Sequence, residues 1–249
     1  TLMMNKCFDV DVLFEVKDKL DPIYEDGVIT IRDFYKNPED IYEWLNNQSY
    51  PLWKYSSERT SRNSIDYNDC RLIHKLGNPT RKYYNNMERL LNVCRKYWHK
   101  GRYQYDEVLE FNCFQSKTIN DTTLQHYPHL DSKLACKDKE SVLNMLVYLD
   151  KEESGGTAIY AGDWITNNEH VNLLYPVEER FEKIKVIPAE FNTAVIFTGN
   201  KLHGAWIDDY KKYQNDKWRF SQVNFFKPDS SRKESSEIYL VCLKKGSVD

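Results

Sequence analysis

From about residue 106 onward the chain breaks into short β-branched and aromatic runs. Leu109, Phe111 and Cys113 alternate with polar residues, and there follow Leu143 to Leu149 (LNMLVYL), Lys185 to Ile187, Ala194 to Phe197 (AVIF) and Phe220 to Phe226. Turn material separates them, with hardly any helical periodicity between. A parallel, doubly wound sheet needs a helix after each strand, whereas many short strands without helices pack as an antiparallel sandwich or barrel. The polar stretch Asp229 to Glu237 (DSSRKESSE) reads as an exposed loop before a last strand, Ile238 to Leu243.

The first hundred residues have a different grain. Val28 to Ile31 is a short strand. Asn37-Pro38-Glu39-Asp40 starts a helix, with Asn37 as N-cap, Pro38 at the first helical position and acids in the first turn. That helix carries Ile41, Trp44 and Leu45. Asn78-Pro79 repeats the start signal, and Tyr84, Met87, Leu91, Cys94 and Trp98 then recur every three or four residues up to a stop at Gly101. The expected class is therefore α+β to mainly β. An N-terminal α/β support region, residues 1–105, packs on a β-core, residues 106–249, and the two form one structural domain.

Composition narrows the possible roles. The 35 Lys and Arg against 38 Asp and Glu leave a net charge of −3, which gives no reason to expect a nucleic-acid or anionic-membrane partner. No apolar run approaches the roughly 18 residues that span a bilayer, and Thr1 to Asn5 lacks the basic and apolar regions of a secretory signal. Cys7, Cys70, Cys94, Cys113, Cys136 and Cys242 form no C-x-x-C pair, so buried free thiols in a reducing cytoplasm are expected.

The chemistry concentrates at His129-Leu130-Asp131 and at His203. Side chains two apart on a strand share a face, so an imidazole and a carboxylate project together at the entrance to the β-core. His203 stands 72 residues later, past the strand Ala194 to Phe197. Two His and one carboxylate on one face of a metal leave the opposite face open, as in the facial triad of non-haem Fe(II) oxygenases. Arg219-Phe220-Ser221 follows in the strand RFSQVNFF. Arg219 and Ser221 share a face by the same period, and a guanidinium with a hydroxyl suits a carboxylate.

H-x-D, a strand ending in Ser154-Gly155-Gly156-Thr157, a distal His and R-x-S, in that order, resemble the Fe(II)/2-oxoglutarate-dependent dioxygenases, and among them the prolyl-4-hydroxylase-like branch. Leu146 to Thr157 (LVYLDKEESGGT) and Pro188 to Trp206 (PAEFNTAVIFTGNKLHGAW) carry the likeness, which covers roughly residues 106 to 228. It implies a double-stranded β-helix, a jelly-roll of the cupin type. It further implies Fe(II) held by His129, Asp131 and His203, and 2-oxoglutarate anchored by Arg219 or Lys217 with Ser221. O2 would be consumed and succinate and CO2 released as a C–H bond is hydroxylated. In this branch the anchor is often a Lys before a Trp, and Lys217-Trp218 matches that pattern on the face of Arg219, so either cation can be the anchor; Arg219 is preferred because only it makes the R-x-S pair and a bidentate grip. Asp131 favours hydroxylation over the halogenation carried out by relatives with a small residue there. The expected partner is a small-molecule or peptidyl substrate, with selectivity encoded in the N-terminal region and in 163–182.

Two readings from other classes compete. A cupin-like or lectin-like jelly-roll binding module would need neither the triad nor R-x-S. A zinc hydrolase at the same residues would have no use for Arg219. His126 reads as a loop histidine or one that supports a ligand from behind, and His74, His99 and His170 as surface or packing residues. For Trp44, Trp53, Tyr55, Trp164 and Trp206, core packing is the default reading, with pocket lining as the other.

Overall fold

The computed structural model describes residues 10–46, 54–55, 71–77, 81–94, 96–98, 103–105, 108–114, 128–132, 141–162, 181–206, 208–209, 212 and 219–228. The expectations that fall on His99, His126, His170, Lys217, Trp53, Trp164, Ile238 to Leu243 and all cysteines other than Cys94 and Cys113 lie outside them. His74, Tyr55 and Cys113 fall in strands whose side chains also lie outside the description.

The described chain is mainly antiparallel β with three helices. These are α1 (Val10–Leu13), α2 (Pro38–Asn46) and α3 (Arg81–Cys94). The first strands are β1 (Pro22–Glu25), β2 (Val28–Ile31), β3 (Lys54–Tyr55), β4 (Arg71–Gly77), β5 (Tyr103–Tyr105) and β6 (Val108–Phe114). They are followed by β7 (Leu143–Tyr148), β8 (Gly156–Ala161), β9 (Glu182–Pro188), β10 (Thr193–Thr198), β11 (His203–Trp206) and β12 (Arg219–Pro228). Nine strands form a large sheet in the order β1-β2-β10-β7-β12-β6-β4-β3, with β5 on β12, and β11-β8-β9 form a small one. The chain crosses between sheets at β7–β8, β9–β10, β10–β11 and β11–β12. Strands β1 to β5 precede residue 106 and yet belong to the large sheet, so the N-terminal part contributes to the β-layer itself.

Local sequence sets several of these elements. Asp26 and Gly27, at φ of 50° and 76°, make the two-residue turn between β1 and β2, the left-handed pair that a tight hairpin of correct twist needs. Helix α2 begins at Pro38 with Glu39 and Asp40 in its first turn and buries Ile41, Trp44 and Leu45.

The two faces of the large sheet have different covers. Met145 and Val147 of β7, Ala194 and Ile196 of β10 and Ile29 and Ile31 of β2 cluster with Leu45 of α2 and Met87 and Leu91 of α3. The residues between them face the small sheet: Val28, Tyr148, Val195 and Phe197 pack on Ile159, Ile187 and Ala189. Because both faces are covered, β7 and β10 read as nearly continuous apolar runs in place of a clean alternation. The candidate chemistry lies on the face between the sheets. Among the described residues no helix is long and apolar enough to cross a membrane.

Candidate metal centre

Backbone pairing brings the two halves of the triad together. His129 and His203 form an isolated antiparallel bridge and exchange both hydrogen bonds, His129 N–H to His203 O at 2.9 Å and the reverse at 3.1 Å. Two residues on, the N–H groups of Asp131 and Ser132 both reach the carbonyl of Gly199, at 2.9 and 3.0 Å. Gly199 comes right after β10, and a Cβ there would lie 2.6 Å from Val142 Cγ2 and 3.2 Å from Asp131 Cβ. The turn after β10 must therefore carry glycine for the Asp131 segment to close on it.

The side chains converge accordingly. The donor atoms of His129, Asp131 and His203 all lie within 4.8 Å of one another. His203 Nε2 stands 3.1 Å from Asp131 Oδ2, and His129 Nε2 is 3.8 Å from Asp131 Oδ1. Two donors at right angles on an ion with bonds of about 2.0–2.2 Å are about 3 Å apart, so the His203–Asp131 spacing fits a shared ion. His203 Nδ1 donates to the carbonyl of Lys201 at 2.8 Å, which turns Nε2 toward Asp131 as the nitrogen available to a metal. Phe197 meets the His203 ring edge-on at a centroid distance of 4.8 Å and limits its tilt.

Burial pushes the Asp131 carboxyl up, but the hydrogen bond to His203, the charges of His129 and His203 and the hydrogen bond from Asn144 outweigh it. The group is held below its ordinary value. Asp131 is therefore an anion in a largely enclosed site, as a hard cation requires.

Arg219 lies on the same inter-sheet face, at the start of β12. It is 7% exposed, its Nη2 donates to the carbonyl of Gly156 at 3.1 Å, and its Nε has no hydrogen-bond partner. Among the described residues no carboxylate pairs with it. A buried guanidinium in that condition calls for an anion. Gly156 holds its carbonyl there at φ 156°, and a Cβ on it would meet the carbonyl oxygen of Ile187 at 1.8 Å. Gly156 is thus required by the packing of β8 against β9. Ser221 is cross-strand from Tyr148, and Tyr148 Oη is 2.6 Å from Thr157 Oγ1. Burial raises the Tyr148 hydroxyl to about 12, against the opposing effects of Thr157 and of the Arg219 charge.

Asn144 was not foreseen. It is 2% exposed, its Nδ2 donates a short hydrogen bond to Asp131 Oδ2, and the same nitrogen is 3.4 Å from His203 Nε2. A lone Asn inside an apolar strand run gives no sequence signal beyond its cost in that place. Trp206 is half-buried, with the Lys183 ammonium 3.4 Å above its ring, and Trp44 belongs to the helix-side core. A cleft of about 310 Å3 between the β1–β2 hairpin and β9 is lined by Ile23, Glu25, Thr30, Arg32, Lys185 and Glu190 among others, and holds none of the triad or Arg219.

Comparison with known proteins gives a sequence match to part of the chain and low-scoring structural likenesses. The sequence model of the FtsJ-like methyltransferase family matches residues 169–245. The ribosomal RNA large subunit methyltransferase E of Rickettsia bellii is 42% identical over 79 residues, 31% of this chain and 32% of that protein. The protein of the same name from Ehrlichia ruminantium is 46% identical over 48 residues, 19% of this chain and 36% of that protein. The chain thus spans about a third of the length of the curated relatives it matches.

Among solved structures, the non-heme alpha-ketoglutarate-dependent epimerase SnoN from nogalamycin biosynthesis is similar, with TM-score 0.48 and 13% identity over 82% of this chain and 79% of that one. HygX from Streptomyces hygroscopicus, with nickel and 2-oxoglutarate bound, has TM-score 0.48 and 12% identity over 82% and 84%. A Pseudomonas putida prolyl-4-hydroxylase has TM-score 0.43 and 11% identity over 82% and 94%. These scores are too low to assign fold or chemistry. The described parts of the methyltransferase-matched segment form antiparallel β9 to β12, and they supply His203, Arg219 and Ser221.

Proposed function

We propose that this chain is an Fe(II)- and 2-oxoglutarate-dependent oxygenase that hydroxylates a C–H bond of a small molecule, amino acid or peptidyl residue. On this reading the two sheets are a double-stranded β-helix. One observation carries the proposal: a two-His-one-carboxylate cluster shares its inter-sheet face with a buried arginine whose Nε lacks a partner. A zinc hydrolase or a sugar-binding jelly-roll would have no use for that arginine.

The residues fit the groups they would hold. His129, Asp131 and His203 offer two neutral nitrogens and one anionic oxygen and cover one side of an ion, leaving the other side for co-substrate. When bound, the iron with 2-oxoglutarate supplies the oxidation, in which one oxygen atom of O2 enters the substrate and the other enters succinate as CO2 leaves.

The chain's own work is positional. The His129–His203 bridge fixes the separation of the two imidazoles, and Lys201 O sets the His203 tautomer. Gly156 O steers Arg219, whose remaining N–H groups are free to take the far carboxylate of the co-substrate, with Ser221 alongside on the same strand face. Lys217 is the alternative anchor. Val195, Phe197 and Ile159 pack between the sheets and keep water from that face.

The test is succinate formation from 2-oxoglutarate with Fe(II) and O2, measured with and without candidate amino-acid and peptide substrates. Turnover lost in His129→Ala supports the proposal. No turnover with iron bound would contradict it.

A second reading, methyl transfer to ribosomal RNA, is favoured by the family match over residues 169–245. It requires binding of a methyl donor, which calorimetry with S-adenosylmethionine would detect. It gives the His129–Asp131–His203 cluster no role, and the net charge of −3 offers no excess of cations for RNA.

A further inference from the structure

Asn144 sits in the middle of β7, in the apolar run Leu143 to Leu149, where a carboxamide is costly unless all its polar atoms are paired. Its pairing is lopsided. Nδ2 is directed at Asp131 Oδ2 and lies 3.4 Å from His203 Nε2, the two atoms whose 3.1 Å separation suits a shared ion. Oδ1 is buried and has no hydrogen-bond partner. The amide group thus stands against the lone pairs that a metal would take, with an unused oxygen donor beside them.

The sheet gives this contact little freedom. Asn144 pairs with Phe197 on β10 and with Phe225 on β12, and Phe197 itself holds the His203 ring edge-on. Tyr148, four residues on, shares the Asn144 face, so the metal-binding and anion-binding ends of the site are laid out along one strand. Neither packing nor strand propensity calls for Asn at this position. Polar contact with the ligand set does.

We propose that Asn144 is a positioning residue of the metal site. Its amide holds Asp131 through Oδ2 and keeps the carboxylate beside His203 Nε2, and its unpartnered Oδ1 is a fourth protein donor atom available to the site. A half-turn of the carboxamide exchanges the two ends, so one side chain can serve the ligands or offer a carbonyl to an ion. The proposal rests on the metal-site reading above, and its consequence is seen in metal affinity independently of turnover. Groups that orient metal ligands typically change affinity by about 10- to 100-fold when removed.

The experiment is an anaerobic titration of Co(II) into the metal-free full chain, followed by its visible d–d absorption. It compares wild type, His129→Ala, Asn144→Ala and Asn144→Leu, each first checked for native near-UV circular dichroism. We expect both Asn144 variants to bind Co(II) about 10- to 100-fold more weakly, with shifted band positions. A residue that only fills space would leave the Co(II) spectrum of the shape-matched leucine variant unchanged. Wild-type affinity and spectrum in both folded variants, with binding lost in His129→Ala, would overturn the role of Asn144 and leave the metal site standing. No Co(II) binding by wild type would remove the metal reading itself and Asn144's role with it. Failure of both Asn144 variants to fold would assign the residue to packing and also overturn the proposal.

Discussion

His129 and His203 are backbone partners, exchanging N–H···O bonds of 2.9 and 3.1 Å although 74 residues separate them in sequence. The distance between their rings is therefore a property of the β-register and does not depend on side-chain choice alone. A one-residue slip of either segment would turn one imidazole to the other face. Asp131, tied to Gly199 O two residues further on, is carried in the same register.

Asp131→Ala should abolish metal binding and succinate formation while leaving the fold intact. Retained metal affinity, read by equilibrium dialysis, would remove Asp131 from the ligand set. The metal-free protein gives a second readout through pH. The Asp131 carboxyl lies below its ordinary value in the folded state, so its stabilisation is present above about pH 4, the unfolded value, and is lost as pH falls through the lower, folded value. The melting-temperature gap between wild type and Asp131→Asn should therefore close on acidification. A gap that widened toward low pH would reverse the sign.

Arg219→Ala should raise the concentration of 2-oxoglutarate needed for half-maximal turnover by roughly 10- to 1000-fold, the scale of a lost charge-assisted pair. Lys217→Ala should change it far less. The reverse ranking would make Lys217 the anchor.

Gly156→Ala places a methyl group where the Ile187 carbonyl oxygen stands, at a φ that side-chain-bearing residues avoid. A loss of about 1–3 kcal/mol in unfolding free energy is expected from the strain. Co-substrate affinity should weaken as well, because Gly156 O is the one described partner of Arg219. Denaturant melts and 2-oxoglutarate titration check the two effects separately, and a variant with wild-type stability would contradict the placement of β8 against β9.

Tyr148→Phe removes one side of the 2.6 Å contact with Thr157 in a fully enclosed site. The cost should be about 1–2 kcal/mol, since the Thr157 hydroxyl is left unpaired. With its hydroxyl at about 12, Tyr148 should show no phenolate absorption up to pH 10 in the folded protein. A Tyr148 phenolate signal near pH 10 would contradict its enclosure between the sheets.

Much of the core was legible because its strands are short apolar, β-branched or aromatic runs bounded by turn residues. Residues 143–149, 194–197 and 220–226 anticipate β7, β10 and β12 within a few residues, and the Asn37-Pro38 start signal anticipates α2. The facial relations of His129 with Asp131 and of Arg219 with Ser221 are local and needed no tertiary information. The large sheet's outer strands were harder. In β4 the stretch RLIHKLG alternates poorly, and β1 is held by its hairpin with β2, for which Asp26-Gly27 was the available signal. Asn144 was illegible for a different reason: its meaning comes from Asp131 and His203, which reach it only through the folded sheet.

The central claim is that iron and 2-oxoglutarate share the His129–Asp131–His203 site. It is tested most directly by titrating 2-oxoglutarate anaerobically into the Fe(II)-loaded protein and following the weak visible charge-transfer band of the chelate. The band should appear with wild type, saturate at one co-substrate per iron, and be missing from His129→Ala. Iron bound by wild type at full occupancy, with no band at saturating 2-oxoglutarate, would contradict the account.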